Sequence, residues 1–300
     1  MLRIGILGSD NSHADRFSEI LNRTDHPDYW PDARARVVAI WGQDTARTGQ
    51  VAEHGRIDVI VDQPQAMLGQ VDAVFCVTRH GGLHLELVRP YLEAGLPTFV
   101  DKPLAVDPAD AAAMVELAQQ SGAPFTSFST VRFSADTQAF LAASRQLGGV
   151  RAGSYSGPAS RRNPYGGILF YAIHSIELML ATQGAGVQWV QAVEGPAVDE
   201  AGNGTVVAVC AWQDGAAATL ELTVDAQYAF RATALGRTAV HSATLDIGDC
   251  YRNGMRAILA CLRGGVSPVE PAAMVEAVQI GAAIERSLDE GRRVSLAEVA

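Results

Sequence analysis

Short apolar runs, too brief for helices and too continuous for half-solvated strands, recur through the first third of this chain. Leu2–Leu7, Val37–Trp41, Ile57–Val61, Ala73–Val77 and Thr98–Val100 are mostly rich in β-branched residues, as strands buried on both faces are. The stretches between them read as helices. In Leu83–Ala94, the residues Leu87, Val88, Tyr91 and Leu92 share one face, and Gly95 follows as a stop. Strands alternating with helices at this spacing predict a doubly wound parallel sheet. Ala109–Gln120 and then Pro124–Phe128 add one further helix–strand unit.

Past about residue 130 the texture changes. One helix, Ala135–Leu147, leads to longer alternating strands at Thr205–Trp212, Ala217–Val224 and Tyr228–Ala234. Turns such as Asp214-Gly215 and Leu235-Gly236-Arg237 bound or interrupt them, which predicts an antiparallel sheet. Two helices, Cys250–Leu262 and Pro271–Glu290, close the chain. Three hundred residues exceed what one hydrophobic core usually fills. Two domains are expected, 1–123 and 124–300, with the boundary near Gly122–Pro124.

Charge and cysteine usage narrow the function. A net charge of −10, with no basic cluster longer than a pair such as Arg161-Arg162, would repel a phosphate backbone, so nucleic acid is not an expected partner. The four cysteines are scattered without metal-ligand spacing and read as buried thiols in a reducing compartment. Met1-Leu2-Arg3 runs at once into Ile4-Gly5-Ile6-Leu7, too short for a signal-peptide core. No apolar run reaches bilayer-crossing length. A cytoplasmic protein without a membrane partner is expected.

The segment Val71–Asp107, VDAVFCVTRHGGLHLELVRPYLEAGLPTFVDKPLAVD, carries an ordered series of features. A strand leads to a loop from Thr78 to His84, a helix ends in Ala94-Gly95, and a strand runs into the turn Asp101-Lys102-Pro103. Gly166–Leu180, GGILFYAIHSIELML, places His174 on a helix behind two glycines, and Glu270–Leu296 reads as a terminal helix and final strand. Together these resemble the two-domain oxidoreductase family typified by glucose–fructose oxidoreductase and inositol dehydrogenase (Gfo/Idh/MocA), over nearly the whole chain. The resemblance implies an α/β protein: an N-terminal Rossmann doubly wound parallel sheet, then a C-terminal α+β domain with a large open, mainly antiparallel sheet. It also implies a homodimer or homotetramer.

Activity follows from the resemblance as an expectation: NAD(P)-dependent oxidation of a CH–OH group in a sugar, inositol or related hydroxyl compound. Such chemistry needs a base for the hydroxyl proton and a nicotinamide held over the carbinol carbon. Lys102 falls just past a parallel strand's carboxyl end, where open α/β sheets place ligands, and the family's equivalent lysine contacts substrate and nicotinamide ribose. His174 matches the family's catalytic histidine, and its titration range suits acid–base work. Tyr171 lies on the same helix face. Arg132, Arg162 and Tyr165 are candidates to grip substrate. Thr78, His84 and Asp101 join Lys102 as candidate cofactor contacts. No metal site is expected, since the spacing of His13, His80, His84 and His174 is not diagnostic of ligands.

Two departures from the family pattern leave alternatives open. The family's Asp four residues before the histidine is Phe170 here, and Glu177, a turn beyond His174, is on the wrong side to replace it. In the dinucleotide loop Gly8-Ser9-Asp10-Asn11-Ser12-His13, only Gly8 survives of the three glycines that permit a tight turn, close pyrophosphate approach and close packing. An uncompensated Asp10 carboxylate about 4 Å from a phosphate costs up to about 4 kcal/mol at an effective dielectric near 20. In one reading, Asp10 or Asn11 caps a helix over Ala14–Leu21 while Ser9, Ser12 and His13 meet the phosphates. In another, the loop binds no dinucleotide, and the chain is a ligand-binding or regulatory protein. A non-redox lyase or hydrolase with tightly held NAD is a third. For cofactor choice, Asp44 would reach an adenosine ribose, or Arg47 a 2′-phosphate, and the reading leans to NAD over NADP.

Overall fold

The computed structural model describes all 300 residues. It divides into two compact units: Met1–Ala105, Asp110–Phe128 and Tyr251–Pro271 form the first, and Val106–Ala109, Ser129–Cys250 and Ala272–Ala300 the second. The chain expected to divide at 123/124 thus passes to its second unit after Phe128 and later sends residues 251–271 back to the first.

In chain order the first stretch contains β1 (Leu2–Leu7), α1 (Ser12–Asn22), β2 (Ala35–Trp41), α2 (Thr45–Gly55), β3 (Val59–Ile60), β4 (Ala73–Cys76), α3 (His84–Glu93), β5 (Thr98–Val100), α4 (Pro108–Ser121) and β6 (Phe125–Ser127). The six strands form one parallel sheet in the order β3-β2-β1-β4-β5-β6. The order reverses between β1 and β4, so their carboxyl ends bound a topological switch point. Ile4, Ile6, Leu7, Val74 and Phe75 are completely buried, as strands covered on both faces must be. The expected strand Ile57–Val61 shrinks to two exposed residues, because β3 is an edge strand paired only with β2.

Helix α1 is fixed to this sheet by two devices. Phe17 lies edge-on to Phe75 and Phe99, with ring centroids 5.8 and 5.9 Å away. At its other end, the Asn22 side-chain amide donates to the carbonyls of Val37 and Gly55 at 2.9 and 2.8 Å, while its oxygen accepts from Val37 N at 3.0 Å. Those buried peptide groups find their partners in a single side chain.

The next elements are α5 (Ala135–Ser144), β7 (Val150–Pro158), α6 (Leu169–Gln183), β8 (Val187–Glu194), β9 (Val206–Trp212), β10 (Ala217–Thr223), β11 (Phe230–Gly236) and β12 (Val240–Leu245). Helix α7 (Cys250–Leu262) then joins the first unit from Tyr251 onward, and α8 (Pro271–Glu290) and β13 (Val294–Ser295) end the chain. The second unit's seven strands run β12-β11-β7-β10-β9-β8-β13. Only β7 and β10 are parallel; the other pairs are antiparallel. Along β10, Ala218, Leu220 and Leu222 are buried while their neighbours are partly open, the alternation of a sheet covered on one face. Helix α6 packs on β7 and is buried nearly all round from Leu169 to Leu180. No helix is long and apolar enough to cross a membrane.

Phe17→Ala removes the ring on which Phe75, Phe99 and Tyr251 converge. A loss of about 3–5 kcal/mol is expected in urea unfolding; a loss below about 1 kcal/mol would show that the cluster does not hold α1 to the sheet.

Candidate active site

At the end of β1, Gly8 adopts a φ of 109°. A Cβ on it would stand 2.6 Å from the Thr78 amide nitrogen, so only glycine can make this turn against the end of β4. The next residue is committed internally: Ser9 Oγ lies 2.8 Å from Thr48 Oγ1, and its carbonyl accepts from Arg47 Nε at 3.1 Å. Asn11 is the N-cap of α1, accepting from His13 N at 3.3 Å. The helix therefore begins at Ser12, two residues earlier than expected. Asp10 does not cap it. Its two carboxylate oxygens each lie 3.2 Å from the Arg79 amide, so its charge is directed to the loop after β4.

His13 turns inward instead of facing a phosphate. Its Nδ1 lies 2.5 Å from Asp101 Oδ2, and its Nε2 lies 2.9 Å from the Tyr251 hydroxyl. Asn11 Nδ2 donates to the same Asp101 oxygen at 3.3 Å. Of the phosphate contacts expected from Ser9, Ser12 and His13, the serine hydroxyl is thus spent on Thr48 and the imidazole on Asp101 and Tyr251. Asp101 is fully buried. Burial pushes its carboxyl upward, but the His13 charge and hydrogen bond, together with Lys102, outweigh this and hold it below the ordinary 3.8. Asp101 Oδ1 and Thr78 Oγ1 are buried without a hydrogen-bond partner. Both follow the carboxyl ends of adjacent strands, β5 and β4.

Lys102 is 5% exposed, and the Lys102–Pro103 peptide is cis. His84 is wholly buried, its nitrogens 3.0 Å from the carbonyls of Leu104 and Thr78. It ties the loop after β4 to the turn after β5, and so acts on a ligand only through the loops it positions. Asp44 caps α2, accepting from Arg47 N at 3.0 Å, while the Arg47 guanidinium pairs with Asp15. His80 caps the short turn Gly81–Leu83. No group of three His, Cys, Asp or Glu residues is arranged to hold a metal. All four cysteines are buried and unbridged, and burial pushes Cys76 and Cys210 up to about 12.

The second unit orients His174 from a residue that the sequence did not flag. Ser129 Oγ accepts from Val131 N at 3.2 Å and lies 2.6 Å from His174 Nδ1. With the hydroxyl accepting from Val131, its proton is available to Nδ1, and the neutral ring then carries hydrogen on Nε2. Glu177 is buried and accepts from Ser129 N at 2.8 Å, which holds the serine that faces His174. Burial lowers the Arg132 guanidinium against the upward pull of Glu177. Phe170, standing where the family has Asp, belongs to a row of rings: Tyr165, Phe170, Tyr171, His174 and Phe230, with successive centroids 5.1–5.8 Å apart. Arg162 pairs with Glu194 at 3.0 Å.

Strand order, glycine turn and capped helix make the first unit a Rossmann-type nucleotide-binding fold. Residues 2–128 match the family model described as the oxidoreductase family with an NAD-binding Rossmann fold, Gfo/Idh/MocA. An inositol 2-dehydrogenase of Corynebacterium glutamicum (strain R) is 33% identical over 125 residues, 41% of this chain. That match spans 34% of the relative's own length. Among solved structures, a probable dehydrogenase from Thermotoga maritima superposes with a TM-score of 0.84 at 21% identity, covering both chains completely. The scyllo-inositol dehydrogenase of Lactobacillus casei, with bound NAD(H) and scyllo-inositol, gives 0.84 at 15% identity over 99% of each chain. At such identities the likeness establishes the fold.

Because Asp101 is held low in the folded state, it contributes stability above the unfolded carboxyl range, and this is lost as pH falls through its native value. Asp101→Asn is therefore expected to cost about 3–5 kcal/mol near neutrality, by taking from His13 and Asn11 the carboxylate that both meet. The gap to the native protein should narrow below about pH 4. Equal gaps at pH 7 and pH 3 in urea titrations would refute the pairing.

Proposed function

We propose that this chain is an NAD(P)-dependent oxidoreductase acting on a CH–OH group of a sugar, inositol or related hydroxyl compound. The observation that carries this reading is the pair of orphaned buried polar atoms, Asp101 Oδ1 and Thr78 Oγ1, beside Lys102. Buried polar groups without partners are uncommon, and here they follow adjacent strand ends beside the switch point, where a dinucleotide fits an open parallel sheet. The donor set also suits the group. Gly8 allows close approach, and Asn11 and Ser12 offer backbone amides at the positive end of α1. Asp10, which would repel a pyrophosphate, has its charge engaged by the Arg79 amide.

When bound, NAD(P)+ supplies the hydride acceptor. Lys102 positions the substrate hydroxyl and draws off its proton, and His174, its ring set by Ser129, assists the transfer. Tyr171 lies against that histidine, ring centroids 5.8 Å apart, and Tyr165, Arg132 and Arg162 are the further substrate contacts of this reading. NAD is the preferred cofactor in this reading: Arg47 is already neutralised by Asp15, so a 2′-phosphate would have to displace an existing ion pair. The relatives' activities, inositol 2-dehydrogenase and scyllo-inositol dehydrogenase, favour a cyclic polyol or sugar. A homodimer or homotetramer would form across the open face of the second unit's sheet, where Val193, Leu235 and Val240 are exposed.

Titration with NADH and NADPH, followed by nicotinamide fluorescence, should give micromolar binding, tighter for NADH. Lys102→Ala should then lower kcat on the responsive polyol or sugar by about 10²–10⁴-fold. No binding of either nucleotide at millimolar concentration by the folded protein would defeat the proposal.

A further inference from the structure

The acid that follows β2 and the acid that meets the nearby guanidinium are different residues. Asp44 accepts from the Arg47 backbone amide as the cap of α2, so it leaves the Arg47 side-chain charge unanswered. Asp15, in the first turn of α1, pairs with the guanidinium itself. We propose that Asp15 stands, from within the protein, where a 2′-phosphate would stand, and that this residue of α1 sets the preference for NAD over NADP. A role in cofactor choice rests on the dinucleotide reading above; the masking of an anion site by Asp15 does not.

The carboxyl ends of β1 and β2 meet at this point. A Cβ on Gly42 would stand 2.1 Å from Ser9 Oγ and 2.4 Å from Thr48 Oγ1, so the segments that follow the two strands are in contact. Arg47 tightens that junction, donating from Nε to the Ser9 carbonyl at 3.1 Å. In an open parallel sheet the pyrophosphate lies at the start of the first helix, and the adenosine ribose beside the end of the second strand. Arg47 joins those two places, rooted in α2 and bonded to the loop after β1. An open cavity of about 460 Å³ adjoins it, and Ser12, Asp15 and Gln50 are among its other walls. Room for a phosphate and a guanidinium already held in place by backbone thus coincide.

Pairing inside the cavity decides which cation an entering anion can reach. The charged and titratable groups on its walls are Asp15, Arg16 and Glu19 from α1, with Arg47 and His54 from α2. Glu19 takes Arg16 at 3.0 Å and His54 Nε2 at 2.8 Å, which leaves Asp15 as the carboxylate for Arg47. A 2′-phosphate must displace Asp15 from Arg47 and then lie beside it, and like charges at that range repel. A 2′-hydroxyl carries no charge and leaves the pair intact. Without the Asp15 charge, the same walls hold two guanidiniums against one carboxylate. Asparagine isolates that effect, because its amide oxygen still accepts from Arg47. The pair is partly open, with 35% of the Arg47 side chain and 20% of Asp15 exposed, so Asp15 sets a ratio of affinities and not an absolute block.

Calorimetric titration of the whole protein with adenosine 2′,5′-bisphosphate and with 5′-AMP tests the masking directly, without nicotinamide. Asp15→Asn should raise the ratio of bisphosphate to monophosphate affinity by about 10–100-fold. The gain should shrink in about 1 M salt, where the Debye length falls to about 3 Å. Adding Arg47→Ala to Asp15→Asn should erase it, since the two residues act as one unit. The NADPH-to-NADH affinity ratio, read by nicotinamide fluorescence, should rise with the bisphosphate ratio. Should Asp15→Asn fail to fold, Asp15→Ala in the same titrations decides the matter. An unchanged ratio in the folded variant, or an equal gain from Asp44→Asn, overturns the assignment to Asp15. If the native protein binds neither NADH nor NADPH, the oxidoreductase reading falls; a bisphosphate gain in Asp15→Asn then still upholds the masked anion site, and no gain defeats both.

Discussion

A carboxylate with no exposure to water persists only where charge and hydrogen bonds repay its desolvation, and Asp101 meets that demand by drawing in other segments. His13 and Asn11 come from the loop and helix after β1, and Lys102 from the turn after β5. Tyr251 joins through His13, although it lies 238 residues further along the chain. Strand order makes this possible, because β4 alone separates β1 from β5 and their carboxyl ends open on the same side. Remove the Asp101 carboxylate and the loop after β1 loses the contact that turns the His13 ring toward the sheet.

The loop after β1 keeps the geometry of a nucleotide-binding turn while redistributing its charges. Gly8 is retained because no side chain fits against Thr78. Beyond it, backbone freedom gives way to side-chain bonds: Ser9 to Thr48, Asp10 to the Arg79 amide, Asn11 to the first turn of α1, His13 to Asp101. Each satisfies a group that the glycine-rich version would leave to the phosphates or to water. In the second unit, His174 is held by Ser129, which is in turn held by Glu177. Both histidines are thus oriented by a hydrogen bond at Nδ1.

Much of the fold was legible in local pattern. The strands β1, β2, β4 and β5 and the helices α7 and α8 lie at or within a residue or two of where apolar period and punctuation put them, because burial on both faces or on one stripe writes itself directly into sequence. Strands β7, β8 and β12 escaped notice. In β7, Ser, Gly and Arg alternate with few apolar side chains, since one face of this sheet is open and the buried positions include glycine. Lys102 and His174 stood out as candidates by resemblance. Ser129 did not, because a serine capping a short turn looks like any other turn serine until the helix that it faces is known.

The amino-acid order by itself determined that the first third would alternate buried strands with helices, and that glycine would end β1. Those outcomes depend on interactions within a few residues or on the apolar content of one element. The tertiary structure alone decided what the polar residues do. His13 reads as a phosphate-loop histidine in one dimension and is an internal partner of Asp101 in three; Asp10 reads as a repulsive charge and is an acceptor for a backbone amide. Tyr251 carried no signal at all. A hydrogen bond is decided by distances of a few tenths of an ångström between groups far apart in sequence, and no local period encodes that separation.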